Sequence, residues 1–237
     1  MVEALEGEQP FWEPGTRVGY HWYTFGWLVG EVTRRVSGRS VGAFFSQEVA
    51  RPLGLDFWIG LPAEIEPRVA PMIMLERPAI IDRTSIPGLV WHNDGGYLDP
   101  GECDTRAAHS AEIPAINGIT NARGLAGLYA PLASGSGPLG ADDLARMSTV
   151  ASAVDRDATL GGPFRYTLGF QKFGPGNPLA VAEAGFGHAG MGGSVGFADP
   201  EAGMSFGYMT NKLDTHERAA RLVDAAYLSL GYTSKAS

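Results

Sequence analysis

The sequence is short of the residues that would commit it to several common tasks. Cysteine occurs once, at Cys103, so no internal disulfide can form and the fold needs no oxidising compartment. Cys103 is also a weak nucleophile candidate, because it lies in a polar loop, Pro100 to Arg106, with no motif around it. Lysine is scarce, with only Lys172, Lys212 and Lys235. The densest basic cluster is Arg34-Arg35, and the formal net charge is −8 with a pI near 5.1. That balance disfavours nucleic acid or an anionic membrane as partner, since both call for a concentrated basic surface. No apolar run approaches the ~20 residues of a membrane span. The opening MVEALEGEQPFWEPG lacks the positive start and apolar core of a secretory signal, so the expectation is a soluble, cytoplasmic protein. No His/Cys/Asp spacing suggests a metal site, and no cofactor is expected.

What is present is ordinary globular composition: 237 residues, 44% hydrophobic and 19% charged, enough for one sizeable core. The 33 glycines and 16 prolines imply many turns and long connections, which suits a mixed fold more than a helical bundle. Phe25, Leu28, Val29, Val32 and Val36 recur at helical spacing, with Thr24 as a plausible N-cap and Gly38 as the stop. Ser40 can cap a second helix that turns Val41, Phe44, Phe45 and Val49 inward. Residues 60 to 118 break into short apolar pieces, prolines and polar clusters. They read as a loop-rich region at the mobile edge of a site. Thr120 or Asn121 can cap a helix bearing Leu125, Leu128, Tyr129 and Leu132, and residues 141 to 151 form another, with Asp142 and Asp143 at its positive end. Phe164, Tyr166, Leu168 and Phe170 alternate as in one strand. Residues 194 to 198 and 204 to 209 read as two strands joined by the turn Asp199-Pro200-Glu201-Ala202-Gly203. A last helix, residues 214 to 230, places Ala220, Val223, Tyr227 and Leu230 on one face.

The stretch that organises the chain is Gly185 to Asn211. Gly185, Gly187, Gly190, Gly192 and Gly193 suggest a backbone that passes tightly beside something, and His188 stands among them. A glycine-rich sheet turn with a stray histidine is the plainer reading of the same residues. Gly192-Gly193-Ser194-Val195-Gly196 also matches the Gly-x-Ser-x-Gly elbow, with Asp214 or Asp199 and His216 as conceivable partners of Ser194. Gly38-Arg39-Ser40-Val41-Gly42 matches it equally, and neither serine has the strand before it and helix after it that an elbow needs.

His188-Ala189-Gly190 leading into Gly192-Gly193-Ser194-x-Gly196, then Asp199-Pro200 and Gly207-Tyr208-x-x-Asn211, resembles the third motif of the serine β-lactamase, penicillin-binding-protein and esterase superfamily. The class C β-lactamase-related esterases are the variant it looks like. The segment Trp12-x-Pro-Gly-Thr, Gly19-Tyr20-His21, Thr24-x-Gly26, Gly30-Glu31, Arg34-Arg35-x-x-Gly38 and Pro52-Leu53-Gly54-Leu55-Asp56 resembles the same group, as does Asn117 to Ala133. The resemblance implies an α/β (α+β) fold of the β-lactamase/transpeptidase type in a single domain over residues 1–237. Such a domain has a mainly antiparallel sheet flanked by helices: a tyrosine-motif part (12–60), a long loop region (61–118) and the helices and strands of 119–237.

The resemblance also implies hydrolysis of a small ester or amide through an acyl-enzyme. Tyr20 would be the proton acceptor, His188 and Gly190 would line the pocket beside His21 and Trp22, and the Met191 N–H would help hold the oxyanion. Trp22 stands where the lactamases carry asparagine, and His188 replaces their lysine, so esters are favoured over β-lactams. Tyr20 also reads as a core or cap aromatic, His21 and His188 as neutral hydrogen-bonded histidines, and Trp91 and Tyr97 as either cleft lining or loop anchors. His92, His109 and His216 read as surface or loop residues.

A phenol is a weak base, with a reference pKa of ~10, unless nearby positive charge or a lysine assists it. The family's lysine comes from Ser-x-x-Lys, and this chain has no such pair. Three residues before its lysines stand Gly169, Met209 and Tyr232. An N-terminally incomplete member is therefore expected, with homo-oligomerisation through an exposed sheet edge. The alternative is a non-catalytic remnant that binds a ligand or a partner.

Overall fold

The computed structural model describes residues 1–74, 82–93, 95–137, 139–173, 179 and 181–233. The chain divides into two compact units: residues 1–119 with 154–163, and residues 120–153 with 164–237.

In the first unit α1 (Val2–Glu6) precedes α2 (Tyr23–Ser37) and α3 (Val41–Phe45). Gly38 ends α2 in the left-handed region at φ 72°, its N–H reaching the Arg34 carbonyl, and the Ser40 hydroxyl accepts the Ala43 N–H at 3.2 Å to start α3. Thr24 is not the cap of α2. It lies inside the helix and donates its hydroxyl to the His21 carbonyl at 2.7 Å, while Trp22 takes the cap position. The strand β1 (Phe57–Trp58) pairs with β2 (Ile119–Thr120). The intervening stretch holds short helices, among them α4 (Ile86–His92) and α5 (Arg106–Ser110). Pro87 falls in the first turn of α4, where the N–H it lacks would have no helical partner.

The helical spacing in α2 is real, but the stripe it describes faces outward. Phe25, Leu28, Val29, Val32 and Val36 are all exposed, Val32 at 62% and Val36 at 84%. A shallow groove of about 170 Å³ between α1 and α2, lined by Leu5, Trp27, Leu28 and Val32, extends this apolar surface. An apolar face this continuous drives association in water. The chain is therefore expected to self-associate as its concentration rises in light scattering after size exclusion, and Val32→Glu should shift it towards monomer. A wild-type chain that stays monomeric throughout would refute this.

In the second unit α6 (Ala122–Ser134) and α7 (Ala141–Ser148) precede a six-stranded sheet. Its order follows the chain: β3 (Ser152–Val154), β4 (Phe164–Tyr166), β5 (Gln171–Lys172), β6 (Phe186–Ala189), β7 (Val195–Asp199) and β8 (Met204–Tyr208). From β4 to β8 every pairing is antiparallel. Residues 164–170 do not form one strand. The chain reverses at Gly169 (φ 104°), the Thr167 N–H meets the Phe170 carbonyl at 2.8 Å, and Leu168 is left exposed.

All of β7 is buried, because its alternate residues serve two faces. Val195 and Phe197 pack with Phe173, Ala219, Val223 and Tyr227, the last three on α8 (Glu217–Ser229), while Ala198 joins Phe186, Tyr129 and Ala133 on the α6 side. On the expected C-terminal helix face Val223 and Tyr227 are buried, whereas Leu230 is exposed.

Candidate functional site

Tyr20, His21 and Trp22 lie together in the first unit, directly before α2. The Tyr20 ring meets Trp22 edge-on with centroids 6.0 Å apart, and Trp22 meets Trp91 of α4 in the same way at 5.2 Å. Trp22 adopts φ 54° and ψ −126°, the only positive φ outside glycine among the described residues. A side chain in that region costs of order 1–3 kcal/mol, and such strain persists only where the surroundings enforce it. His21 is exposed, its Nδ1 3.0 Å from the Thr24 hydroxyl. Burial raises the Tyr20 phenol above its ordinary 10. At neutral pH that group is protonated, and a proton-accepting role requires a cationic partner.

Trp91 packs its ring on Trp22, and its indole N–H is buried with no hydrogen-bond partner among the described residues. Tyr97 is pushed up to about 12, chiefly by burial and then by its neighbours Cys103, Tyr23 and Asp104. Burial, and after it the Asp104 charge, also raise the Cys103 thiol, which suits a structural cysteine. His109 is not a surface residue. It is buried, with Nδ1 2.7 Å from one oxygen of the Glu66 carboxylate, whose other oxygen accepts from Arg106 at 2.7 Å.

His188, Gly190 and Met191 lie together in the second unit, on β6 and in the turn that follows it. Pairing with β7 sets His188 opposite Gly196 and Ala189 opposite Val195. The turn closes through the Gly190 N–H on the Ser194 carbonyl at 2.7 Å and the Gly193 N–H on the Gly190 carbonyl at 3.1 Å. Gly192 and Gly193 have φ of 93° and 106°, and a Cβ on Gly193 would sit 2.8 Å from the Thr215 carbonyl oxygen. Here the glycines are obligatory. Met191 remains 44% exposed at the tip.

His188 is exposed on β6, yet desolvation by the chain packed around its ring, with a smaller contribution from His216, lowers its imidazole from the ordinary 6.5. A backbone group of His188 also bonds the Tyr129 hydroxyl. His216 is more than a loop residue, since its Nε2 lies 3.0 Å from the Gly190 carbonyl and ties the start of α8 to the turn. Sequence spacing gave no sign of that bond.

Ser194 does not stand in an elbow. Strand β7 follows it, and its hydroxyl accepts the Thr210 N–H at 3.4 Å. Asp199 is consumed elsewhere, by Tyr227 and by the turn amides of Glu201 and Ala202. Among the described residues no group of His, Cys, Asp and Glu is placed to hold a metal ion. No described helix is long and apolar enough to cross a membrane.

This antiparallel sheet with helices on both faces, carrying a His-x-Gly strand, matches a known family. The family model for Beta-lactamase matches residues 1–229, and the chain belongs to the β-lactamase-related serine hydrolases. It is 34% identical over 219 residues to the Esterase/beta-lactamase LipL of Mycobacterium tuberculosis, an alignment covering 84% of this chain and 50% of that protein. Among solved structures it is similar to a penicillin-binding-protein homologue from Caulobacter crescentus (TM-score 0.81, 32% identity, 96% of this chain and 63% of the other). It is similar also to a family VIII carboxylesterase (TM-score 0.77, 35% identity, 94% and 62%). The chain therefore spans about half the length of the curated relative and under two thirds of these solved ones.

Proposed function

We infer that this chain carries two elements of an ester-hydrolysing acyl-enzyme, the tyrosine segment of the first unit and the His-x-Gly strand of the second, and that the nucleophilic serine is supplied by polypeptide outside it. The observation that carries the reading is the turn after β6, where left-handed glycines bring the backbone of Gly190 and Met191 to an exposed edge beside a neutral histidine. In this role the Met191 N–H helps to hold the oxyanion of a tetrahedral intermediate. Tyr20 accepts the serine proton and later activates water, provided that a cation lowers its pKa. Neutral His188 favours an uncharged ester over a substrate that needs a lysine for its carboxylate. The Tyr20, Trp22 and Trp91 rings offer an apolar wall to the acyl or alcohol part.

Labelling of the purified chain with a fluorophosphonate, followed by mapping of the modified peptide by mass spectrometry, tests this. No serine of the chain should react, because among the described residues no serine hydroxyl is hydrogen-bonded to a histidine or lysine, and Ser40, which donates to the Glu112 carboxylate at 2.6 Å, serves as a helix cap. Labelling at Ser194 would overturn the reading and make the chain an enzyme by itself.

The raised Tyr20 pKa favours a second reading, a ligand-binding module without chemistry. An in-frame Ser-x-x-Lys in the coding DNA upstream of Met1 separates the two readings in favour of the hydrolase, and its absence favours the binding module.

A further inference from the structure

Asp157 is fully buried, at 0% exposure, and sequence patterning gave it no role. Its Oδ1 accepts three backbone N–H groups: those of Thr159 and Leu160 at 2.9 Å each, and that of Tyr20 at 3.1 Å. The first two are local and build a turn, which the Gly161 N–H closes on the Asp157 carbonyl at 2.9 Å with φ 79° at Gly161. The third spans 137 residues. It works beside a second strap, the Ala158 N–H on the Val18 carbonyl at 3.0 Å, so that residues 18 and 20 are held on either side of Gly19. Gly19 is pressed between them. A Cβ there would lie 2.7 Å from the Trp12 ring and 3.1 Å from the Thr159 hydroxyl, and Trp12 is itself fixed by its indole N–H on the Arg17 carbonyl.

The other side of Tyr20 is held as well, by strained Trp22 and by the bond from Thr24 to His21. A backbone gripped on both sides has little freedom, so the Cα–Cβ bond of Tyr20 leaves it in one direction, and the edge-on contact with Trp22 restricts the ring from there. All the gripping groups belong to the same unit as Tyr20.

We propose that Asp157 is a positioning residue for Tyr20: its buried carboxylate takes the Tyr20 N–H and thereby fixes the direction in which the side chain leaves the backbone. A carboxylate suits this work, because three amides converge on one oxygen and bonds to a charged acceptor are about twice as strong as neutral ones. The importance of that direction for catalysis rests on Tyr20 being the proton acceptor. The positional claim stands apart from it and is tested apart from it.

The test is tyrosine ionisation, read from ¹³Cζ resonances in the full chain labelled at tyrosine. Tyr20→Phe identifies the Tyr20 signal among the eight tyrosines. In the wild type that signal titrates above 10, as burial requires. In Asp157→Ala it should fall back towards 10 and take the shift of a free tyrosine, while the other tyrosines keep theirs. Asp157→Asn retains an acceptor oxygen and should restore the wild-type titration. An unmoved Tyr20 signal in a folded Asp157→Ala chain would overturn the proposal. Loosening of all the tyrosines together would overturn it too, because that marks a merely structural carboxylate. If the alanine variant does not fold, hydrogen exchange in the wild type decides: a protected Tyr20 amide supports the clamp, and exchange at the unprotected rate refutes it. A hydrolase reading that fails would show instead as unchanged activity of Tyr20→Phe in the assembled enzyme, with these titrations unaffected.

Discussion

Gly207→Ala is expected to destabilise the second unit by about 3 kcal/mol or more, at or beyond the upper end of the usual overpacking range. The reason is backbone, not side chain. Gly207 on β8 pairs with Gly196 on β7, and helix α6 crosses directly over this pair. A Cβ on Gly207 would stand 2.5 Å from the Ala126 amide nitrogen and 2.6 Å from the Ala122 carbonyl oxygen, while one on Gly196 would meet the Tyr129 ring at 2.5 Å and Leu125 at 2.9 Å. Tyr129 and Leu125 can rotate to a limited degree, but the α6 backbone can yield only by lifting the whole helix from the sheet. That lifting would open the cluster of Tyr129, Ala133, Phe186 and Ala198. Against a domain stability of ~5–15 kcal/mol, such a loss is large. Urea unfolding followed by tyrosine fluorescence and circular dichroism should show a midpoint well below that of the wild type, with the Gly196→Ala midpoint between them. An unchanged midpoint for Gly207→Ala would mean that α6 lies farther from the sheet than these contacts place it.

The same glycines show where the sequence could be read and where it could not. Strands β7 and β8 were legible because alternation meets an Asp-Pro-Glu-Ala-Gly turn there, and the Asp199 carboxylate does accept the Glu201 and Ala202 amides, both at 3.0 Å. The His188 to Ser194 turn was legible for a similar reason, since several glycines in so short a run demand conformations that other residues avoid. The stripe of α2 was legible as a helix but not as a surface. Spacing gives the period of the apolar residues and says nothing of what covers them, and Val32 and Val36 stay largely exposed among the described residues. Alternation from Phe164 to Phe170 misled, because Gly169 reverses the chain in the middle of the pattern. Asp157 and His216 were illegible as supports of the site. The bonds they make, to Tyr20 and to Gly190, join segments 137 and 26 residues apart and leave no local signature. Local chemistry could be read from the chain, whereas long-range hydrogen bonding could not.

Tyr227→Phe is expected to cost about 2–4 kcal/mol, although it removes a single oxygen. The Tyr227 hydroxyl donates to Asp199 Oδ2 at 2.6 Å and accepts the Ala182 N–H at 3.2 Å. Both of its partners are buried, and Asp199 is 1% exposed. Burial, and then the hydrogen bond to Asp199, keep the phenol protonated far above its ordinary 10, so it donates at every pH the protein survives. Phenylalanine would fill the same space and keep the stacking on Phe197, so no cavity term enters. What remains is one carboxylate oxygen and one amide stripped of their partner. A hydrogen bond to a charged group contributes about 1.5–3 kcal/mol, and an orphaned buried donor adds a desolvation penalty of its own. The loss should also be coupled to Asp199. In Asp199→Asn the turn amides can keep their oxygen acceptor while the charge is gone, so the double variant should lose less than the sum of the two single variants, by about 1 kcal/mol. Strict additivity in that cycle would show that Tyr227 holds α8 through its ring alone, and that the hydroxyl contributes nothing to the junction between α8 and the turn after β7.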